Sequence, residues 1–272
     1  MSQQIPFFIT MPHSGEKVPD LCHWLTELPE EVLMCDVDRY IDVLYQPAIS
    51  DLNLPSEKTE WHRYAVDLNR VPSDVDCTSV ENNTHPAGLY NRGYHWVVTT
   101  QNDQLLKRPL SLSEHQALTE LIYTPFHEKV RSRFSGFKQI GFKNVFHLDA
   151  HSMPSLGTKM HKDPGEKRAD IVISDSLGKS CDPRFRDLVI AAYVTAGFKV
   201  GYNWPYVGGR LTEQYGQPHQ GQHTIQVELN RSLYMNELTK KINPDHVEVQ
   251  KKIKHALQKI VCDLATLSKE LR

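Results

Sequence analysis

Val145-Phe146-His147-Leu148-Asp149-Ala150-His151-Ser152-Met153 starts as an apolar run of the kind that forms a buried strand and ends in ionisable residues. Open α/β sheets build their sites this way, at the carboxyl ends of strands. On an extended chain Asp149 and His151 alternate around Ala150 and share a face. A second stretch repeats the form: Phe7-Phe8-Ile9-Thr10-Met11 runs into Pro12-His13-Ser14-Gly15-Glu16. Two apolar strands each ending in a histidine predict that the two ends meet and hold a metal.

Working outward, strand and helix patterns alternate. Strands are expected at 5–11, 64–68, 145–150, 169–174, 198–202 and 224–229, where Thr224-Ile225-Gln226-Val227-Glu228-Leu229 alternates polar and apolar. Val37, Ile41 and Leu44 have helical spacing, with Asp36 and Asp38 at the expected helix start. Ser113 with Gln116 suggests a capped helix that Pro125 should kink. Asp182-Pro183 starts another, which Gly197 stops. A last helix over about 246–270 carries Ile253, Leu257, Ile260, Leu264 and Leu267 on one stripe. This alternation predicts an α/β fold with a mixed, largely parallel sheet between helices. Residues 72–110, with Pro72, Pro86, Gly88, Gly93 and Pro109, lack a core-sized apolar set. They read as an excursion over the site within a single domain spanning 1–272.

Composition narrows the function. The chain has 272 residues, 39% hydrophobic and 24% charged, with a net charge of −2. That supports a sizeable core and argues against a nucleic-acid partner, whose footprint would be basic. No apolar run is long enough for a membrane span, and no signal-peptide pattern opens the chain. The five cysteines are scattered and never form C-x-x-C, which suits reduced thiols and a cytoplasmic location.

Catalytic zinc sites use three protein ligands and an open position. His13 and His151 are the histidine candidates; the acidic ligand is open between Glu16 (in His13-x-x-Glu16), Asp36 and Asp38. Asn69 and Arg70, in Asp67-Leu68-Asn69-Arg70, place an amide and a guanidinium together. Arginine grips a carboxylate with a planar fork, so Arg70 is the candidate clamp for a small carboxylate substrate. Glu228 shares its strand face with Gln226 and is positioned to exchange protons with an attacking water. Asp149 is expected to support a ligand imidazole by accepting its hydrogen bond.

Pro12-His13-Ser14-Gly15, Asp36-x-Asp38, Asp67-Leu68-Asn69-Arg70, Asp149-Ala150-His151-Ser152 and the run Gln226-Val227-Glu228-Leu229-Asn230-Arg231-Ser232-Leu233-Tyr234-Met235 together resemble the N-formylglutamate amidohydrolase (deformylase) family. That family is similar to zinc carboxypeptidases and to the aspartoacylase and succinylglutamate desuccinylase group. The resemblance implies a sheet of about eight strands and one zinc ion, or another divalent metal. It also implies hydrolysis of the amide of an N-acyl amino acid, N-formyl-L-glutamate first. On the matching positions it assigns His13 and His151 as metal ligands, with Asp36 as the first choice for the acid. Asn69 and Arg70 become the carboxylate-binding pair and Glu228 the general base. The family's glycine loop carries Thr-Arg where this chain has Thr212-Glu213. That leaves another N-acyl amino acid or a peptide as the alternative substrate, and a non-catalytic carboxylate-binding protein as the alternative of a different class.

Overall fold

A computed structural model describes residues 4–270. It contains a six-stranded sheet in the order β2-β1-β3-β6-β4-β5. The strands are β1 (Phe7–Met11), β2 (Ser56–Lys58), β3 (Val145–Met153), β4 (Ile171–Ser174), β5 (Val200–Tyr202) and β6 (Gln222–Asn230). Neighbours pair in parallel except β4 and β6, which are antiparallel. The sheet is therefore mixed and largely parallel as expected, with six strands among the described residues rather than eight. Residues 64–68 form turns instead of a strand, and the short β2 takes the edge beside β1.

The two central strands, β3 and β6, are paired over nine residues, from Val145 opposite Gln222 to Met153 opposite Asn230. Their alternation separates two layers. Phe146, Leu148, Ala150, Ile225, Val227 and Leu229 face one way. Three helices cover them: α3 (Ile41–Asp51), α6 (Pro183–Thr195) and α8 (His246–Glu270), which follow the one-turn helices α1 (His23–Thr26) and α2 (Glu30–Leu33) in the chain count. Helix α8 seats Ile253, Leu257, Ile260 and Leu264, all fully buried, in this core. The start of α6 is as the sequence predicts: Asp182 accepts from the Arg184 amide and Pro183 opens the helix.

The opposite face is covered by α5 (Thr124–Gln139), α7 (Arg210–Tyr215) and the 72–110 excursion. Val80, Tyr94, Leu105 and Leu110 from the excursion pack into the same cluster as Phe8, Phe134 and Leu211. Helix α4 (Leu112–Leu118) is capped earlier than expected, by a reciprocal box of Ser111 with Glu114. A π turn over Thr119–Tyr123 then joins α4 to α5, which holds Pro125 in its first turn. At that place in the helix proline's missing amide costs no hydrogen bond. No helix among the described residues is long and apolar enough to cross a membrane.

Candidate active site

The chain turns back across the sheet between β1 and β3, and the carboxyl ends of β1, β3 and β6 open onto one cavity of about 420 Å³. Crevices at such switch points are where open α/β sheets bind ligands. His13, just past β1, and His151, on β3, meet there with ring centroids 4.9 Å apart. Both turn Nδ1 toward one oxygen: Asp38 Oδ2 lies 2.9 Å from His151 Nδ1 and 3.6 Å from His13 Nδ1. One ligand atom from each of the three residues lies within 4.8 Å of the others, and all three are buried.

The far edge of each imidazole rests on another carboxylate. His13 Nε2 is 2.8 Å from Asp67 Oδ1, and His151 Nε2 is 2.7 Å from Asp149 Oδ2. Two histidines backed by carboxylates, each turning Nδ1 toward the Asp38 carboxylate, match the donor pattern of metal centres. In a tetrahedral zinc site, adjacent ligand atoms stand about 3.3 Å apart, given bonds of about 2.0–2.1 Å. The two nitrogen–Asp38 separations bracket that value. The donor set therefore suits a metal ion.

Of the three candidate acids, Asp38 is the one brought to the histidines. Helix α3 starts at Ile41, because Tyr40 sits in the left-handed region (φ 69°) and ends the preceding loop. Residues 36–40 are thus loop, and the Asp38 amide bonds to the His13 carbonyl at 3.0 Å. Asp36 is occupied elsewhere: Tyr64 Oη donates to it at 2.8 Å, and Thr100 donates from its hydroxyl at 2.5 Å and its amide at 3.1 Å. Asp36 ties the excursion to the site wall. Glu16 pairs outward with Arg39 at 2.9 Å.

The charges interlock. Burial opposes ionisation of Asp38, but hydrogen bonds from His13 and His151 outweigh it and hold its carboxyl well below the usual range. Burial likewise opposes ionisation of Asp67, and the charges of His13 and Arg63 overcome it. Arg63 Nη2 donates to Asp67 at 2.9 Å, and Trp96 Nε1 donates to the same oxygen at 2.9 Å. Arg231 donates to Asp38 at 3.2 Å and to Ser152 Oγ at 3.0 Å. For His151, burial disfavours the charged ring, yet Asp149 and then Asp38 raise its pKa well above the ordinary histidine value.

Behind Asp149 a buried chain sets its direction. Thr10 Oγ1 donates to Asp149 at 2.6 Å, so it must accept from His147 Nε2 at 2.8 Å. His147 then carries its proton on Nε2 and accepts from Thr224 Oγ1 at Nδ1. Burial lowers the His147 pKa to about 4, consistent with this neutral ring.

Glu228 stands directly across the sheet from His151. Gln226 donates to Glu228 Oε1 at 2.7 Å and accepts from the Gly209 amide at 2.8 Å. Burial pushes the Glu228 carboxyl up to about 7, against the pull of the His151 charge. Such a group exchanges protons near neutral pH. Asn69 Oδ1 accepts from the Leu211 amide at 2.8 Å, so it positions the α7 loop as well as lining the cavity. A Cβ on Gly209 would stand 2.1 Å from Asn69 Nδ2, so a larger residue there would displace the Asn69 amide. Arg70 lines the cavity and donates through Nε to the Arg92 carbonyl at 3.3 Å.

The model of the N-formylglutamate amidohydrolase family matches residues 5–235. The chain belongs to that family. It is 29% identical over 239 residues to an N-formylglutamate deformylase of Pseudomonas aeruginosa, covering 86% of this chain and 84% of that one. An N-formylglutamate deformylase of Pseudomonas putida is 30% identical over 240 residues, covering 86% and 83%. Among solved structures, an N-formylglutamate amidohydrolase from Ralstonia eutropha JMP134 superposes with a TM-score of 0.83 at 25% identity, over 99% of this chain and 96% of that one. An Agrobacterium tumefaciens gene product shares the fold, with a TM-score of 0.70 at 18% identity over 98% of this chain and 92% of that one.

The family match spans every element of the site, from His13 to Arg231. The sequence suggested Trp96 as a pocket-lining aromatic, and it lines the cavity, but did not reveal that Arg63, Trp96 and Arg231 hold the acids in place. For Arg231 a signal existed: it lies three residues after Glu228, past the end of β6, where the chain turns back over the site.

Proposed function

We propose that this chain is a metal-dependent hydrolase of N-acyl amino acids, with N-formyl-L-glutamate as the leading substrate and formate and L-glutamate as products. The observation that carries this reading is the cluster of His13, Asp38 and His151 within 4.8 Å, faced on the neighbouring strand by the buried Glu228. In this reading His13, Asp38 and His151 hold one zinc or similar divalent ion, and Asp67 and Asp149 fix the two rings. Such an ion, when bound, polarises the acyl carbonyl and lowers the pKa of water.

The chain's own groups do the rest. Arg70 clamps a carboxylate of the substrate and aligns the amide over the three ligands. Glu228 accepts a proton from the attacking water and delivers it to the leaving nitrogen, so that the C–N bond breaks to a neutral amine. Gln226 holds the Glu228 carboxylate toward the cavity through that exchange. Arg231 and Ser152 keep Asp38 from rotating away. The names of the two Pseudomonas relatives and of the Ralstonia structure support formyl as the acyl group.

Glu213, at the position that opens the question of another substrate, is exposed and pairs with Arg210 at 3.1 Å, outside the cavity lining. It therefore gives no reason to exclude an acidic side chain. The test is a hydrolysis screen of N-formyl, N-acetyl and N-succinyl derivatives of acidic and neutral amino acids with the zinc-loaded protein. Formate release from N-formylglutamate is expected to be fastest. No hydrolysis of any member by metal-loaded protein would refute the proposal.

A further inference from the structure

The cations of the cavity divide into two kinds. Arg63 and Arg231 are committed to Asp67, Asp38 and backbone carbonyls. Arg70, Arg92 and Lys162 line the same cavity without a carboxylate of the described residues within salt-bridge distance. The acids that line the cavity are engaged by His13, His151, Tyr64 or Thr100, or stand as the proposed base. An anion with a single carboxylate would satisfy one of these free cations and leave charge uncompensated.

Arg92 is the one whose environment calls for a ligand. Its Nη1 is fully buried and has no hydrogen-bond partner among the described residues. A buried, unpaired guanidinium donor is destabilising unless something else completes it. Lys162, by contrast, is exposed at the cavity mouth, where water screens it.

The loop that carries Arg92 is also fixed in advance. The Gly93 amide bonds to the Tyr90 carbonyl at 2.9 Å, the Tyr94 amide to the Asp74 carbonyl at 2.8 Å, and the Tyr90 amide to Asp76 Oδ2 at 2.8 Å. A Cβ on Gly93 would stand 2.2 Å from the Asp74 carbonyl oxygen, so this close turn needs glycine. A rigid loop spends little entropy in presenting a charged fork. Arg70 Nε donates to the Arg92 backbone carbonyl at 3.3 Å, which ties the Arg70 side chain to the loop that carries Arg92.

We infer that Arg92 is a specificity-determining residue that binds the second, side-chain carboxylate of a dicarboxylic N-acyl amino acid, while Arg70 binds the carboxylate next to the scissile amide. This rests on the hydrolase reading above and adds to it the residue that selects the acidic side chain. The excursion at 72–110 thereby brings the distal half of the substrate site to a sheet end that by itself supplies only the reacting half.

The experiment compares kcat/KM for N-formylglutamate with that for N-formylglutamine, its neutral isostere, in wild type, Arg92→Ala and Lys162→Ala. A ratio taken within one protein is insensitive to the fraction folded. Wild type should favour the acid strongly, and Arg92→Ala should lower the ratio about a hundredfold, the weight of one desolvated charge-assisted pair. Lys162→Ala should change it less than about threefold. An Arg92→Ala protein that keeps the wild-type ratio overturns the assignment. So does loss of the preference in Lys162→Ala instead, or an active wild type with no preference for the acid. A wild type inert toward every N-acyl amino acid would refute the hydrolase reading itself, which is a different outcome.

Discussion

The two faces of β3 and β6 are made by alternate residues of the same two strands, yet they do opposite work. Phe146, Leu148 and Ala150 with Ile225, Val227 and Leu229 form a dry face under α3, α6 and α8. His147, Asp149 and His151 with Thr224, Gln226 and Glu228 form a face that is just as buried and almost wholly polar. One face stabilises without directing anything. The other is held by named hydrogen bonds, from Thr224 through His147, Thr10 and Asp149 to His151. A buried polar row of this kind is tolerable only when every member is satisfied, and here satisfaction also aims His151 Nδ1 at Asp38. The apolar face anchors the strands while the polar face is free to serve chemistry.

Breaking the polar face at its centre should have the largest effect. Asp38→Ala is expected to abolish metal retention and bring turnover below detection, whereas Asp36→Asn should keep the metal, since Asp36 serves Tyr64 and Thr100. Metal analysis of both purified variants checks this; metal retained in Asp38→Ala and lost in Asp36→Asn would reverse the assignment. On the apolar face, Leu148→Ala should lower stability by about 2–5 kcal/mol and leave metal content at one ion per folded chain. Chemical denaturation with metal analysis reads both, and loss of metal without loss of stability would contradict the division of labour.

A subtler cut lies behind the ligands. Asp149→Asn leaves His151 its Nδ1 but removes the carboxylate on its far edge, and should weaken metal binding about 10–100-fold. Competition with a chromophoric chelator measures it, and unchanged affinity would show that Asp149 does not orient the ring. The smallest effect concerns pH. Burial lowers the pKa of His62 and His127 to about 4, on the polar side of the sheet. Each is neutral when folded and free to protonate near 6.5 when unfolded. Their stabilisation is present in full above the unfolded value and is lost as pH falls from about 6.5 through about 4, by up to about 1.4 kcal/mol per pH unit for each proton. Melting temperatures should fall over that window, and a flat profile down to pH 4.5 would contradict their burial as neutral rings.

The apolar face was legible in the sequence because its period is simple. The central strands, the α6 cap and the stripe of α8 all follow from spacing and chain punctuation. The polar face was legible where it ended a strand, which is how His13, His151 and Glu228 came to notice. The acidic ligand was not, because Val37, Ile41 and Leu44 have helical spacing while the backbone departs from it at Tyr40. Asp38 reaches the site through a loop bonded to the His13 carbonyl, and no periodicity reports such a contact. The contacts of Arg63 and Trp96 were missed for a related reason: both donate to Asp67, which lies in a segment whose alternation mimics a strand but folds as turns. The count of eight strands came from resemblance, and six are found because the chain around the site is loop.

In the proposed reaction Glu228 exchanges protons with water at a metal held by His13, Asp38 and His151. The most direct measurement is formate release from N-formylglutamate by zinc-loaded wild type and Glu228→Gln, with zinc content determined on the same samples. One zinc per chain in both proteins is predicted, with turnover in the variant at least about a hundredfold lower. Turnover by Glu228→Gln at the wild-type rate would contradict the account.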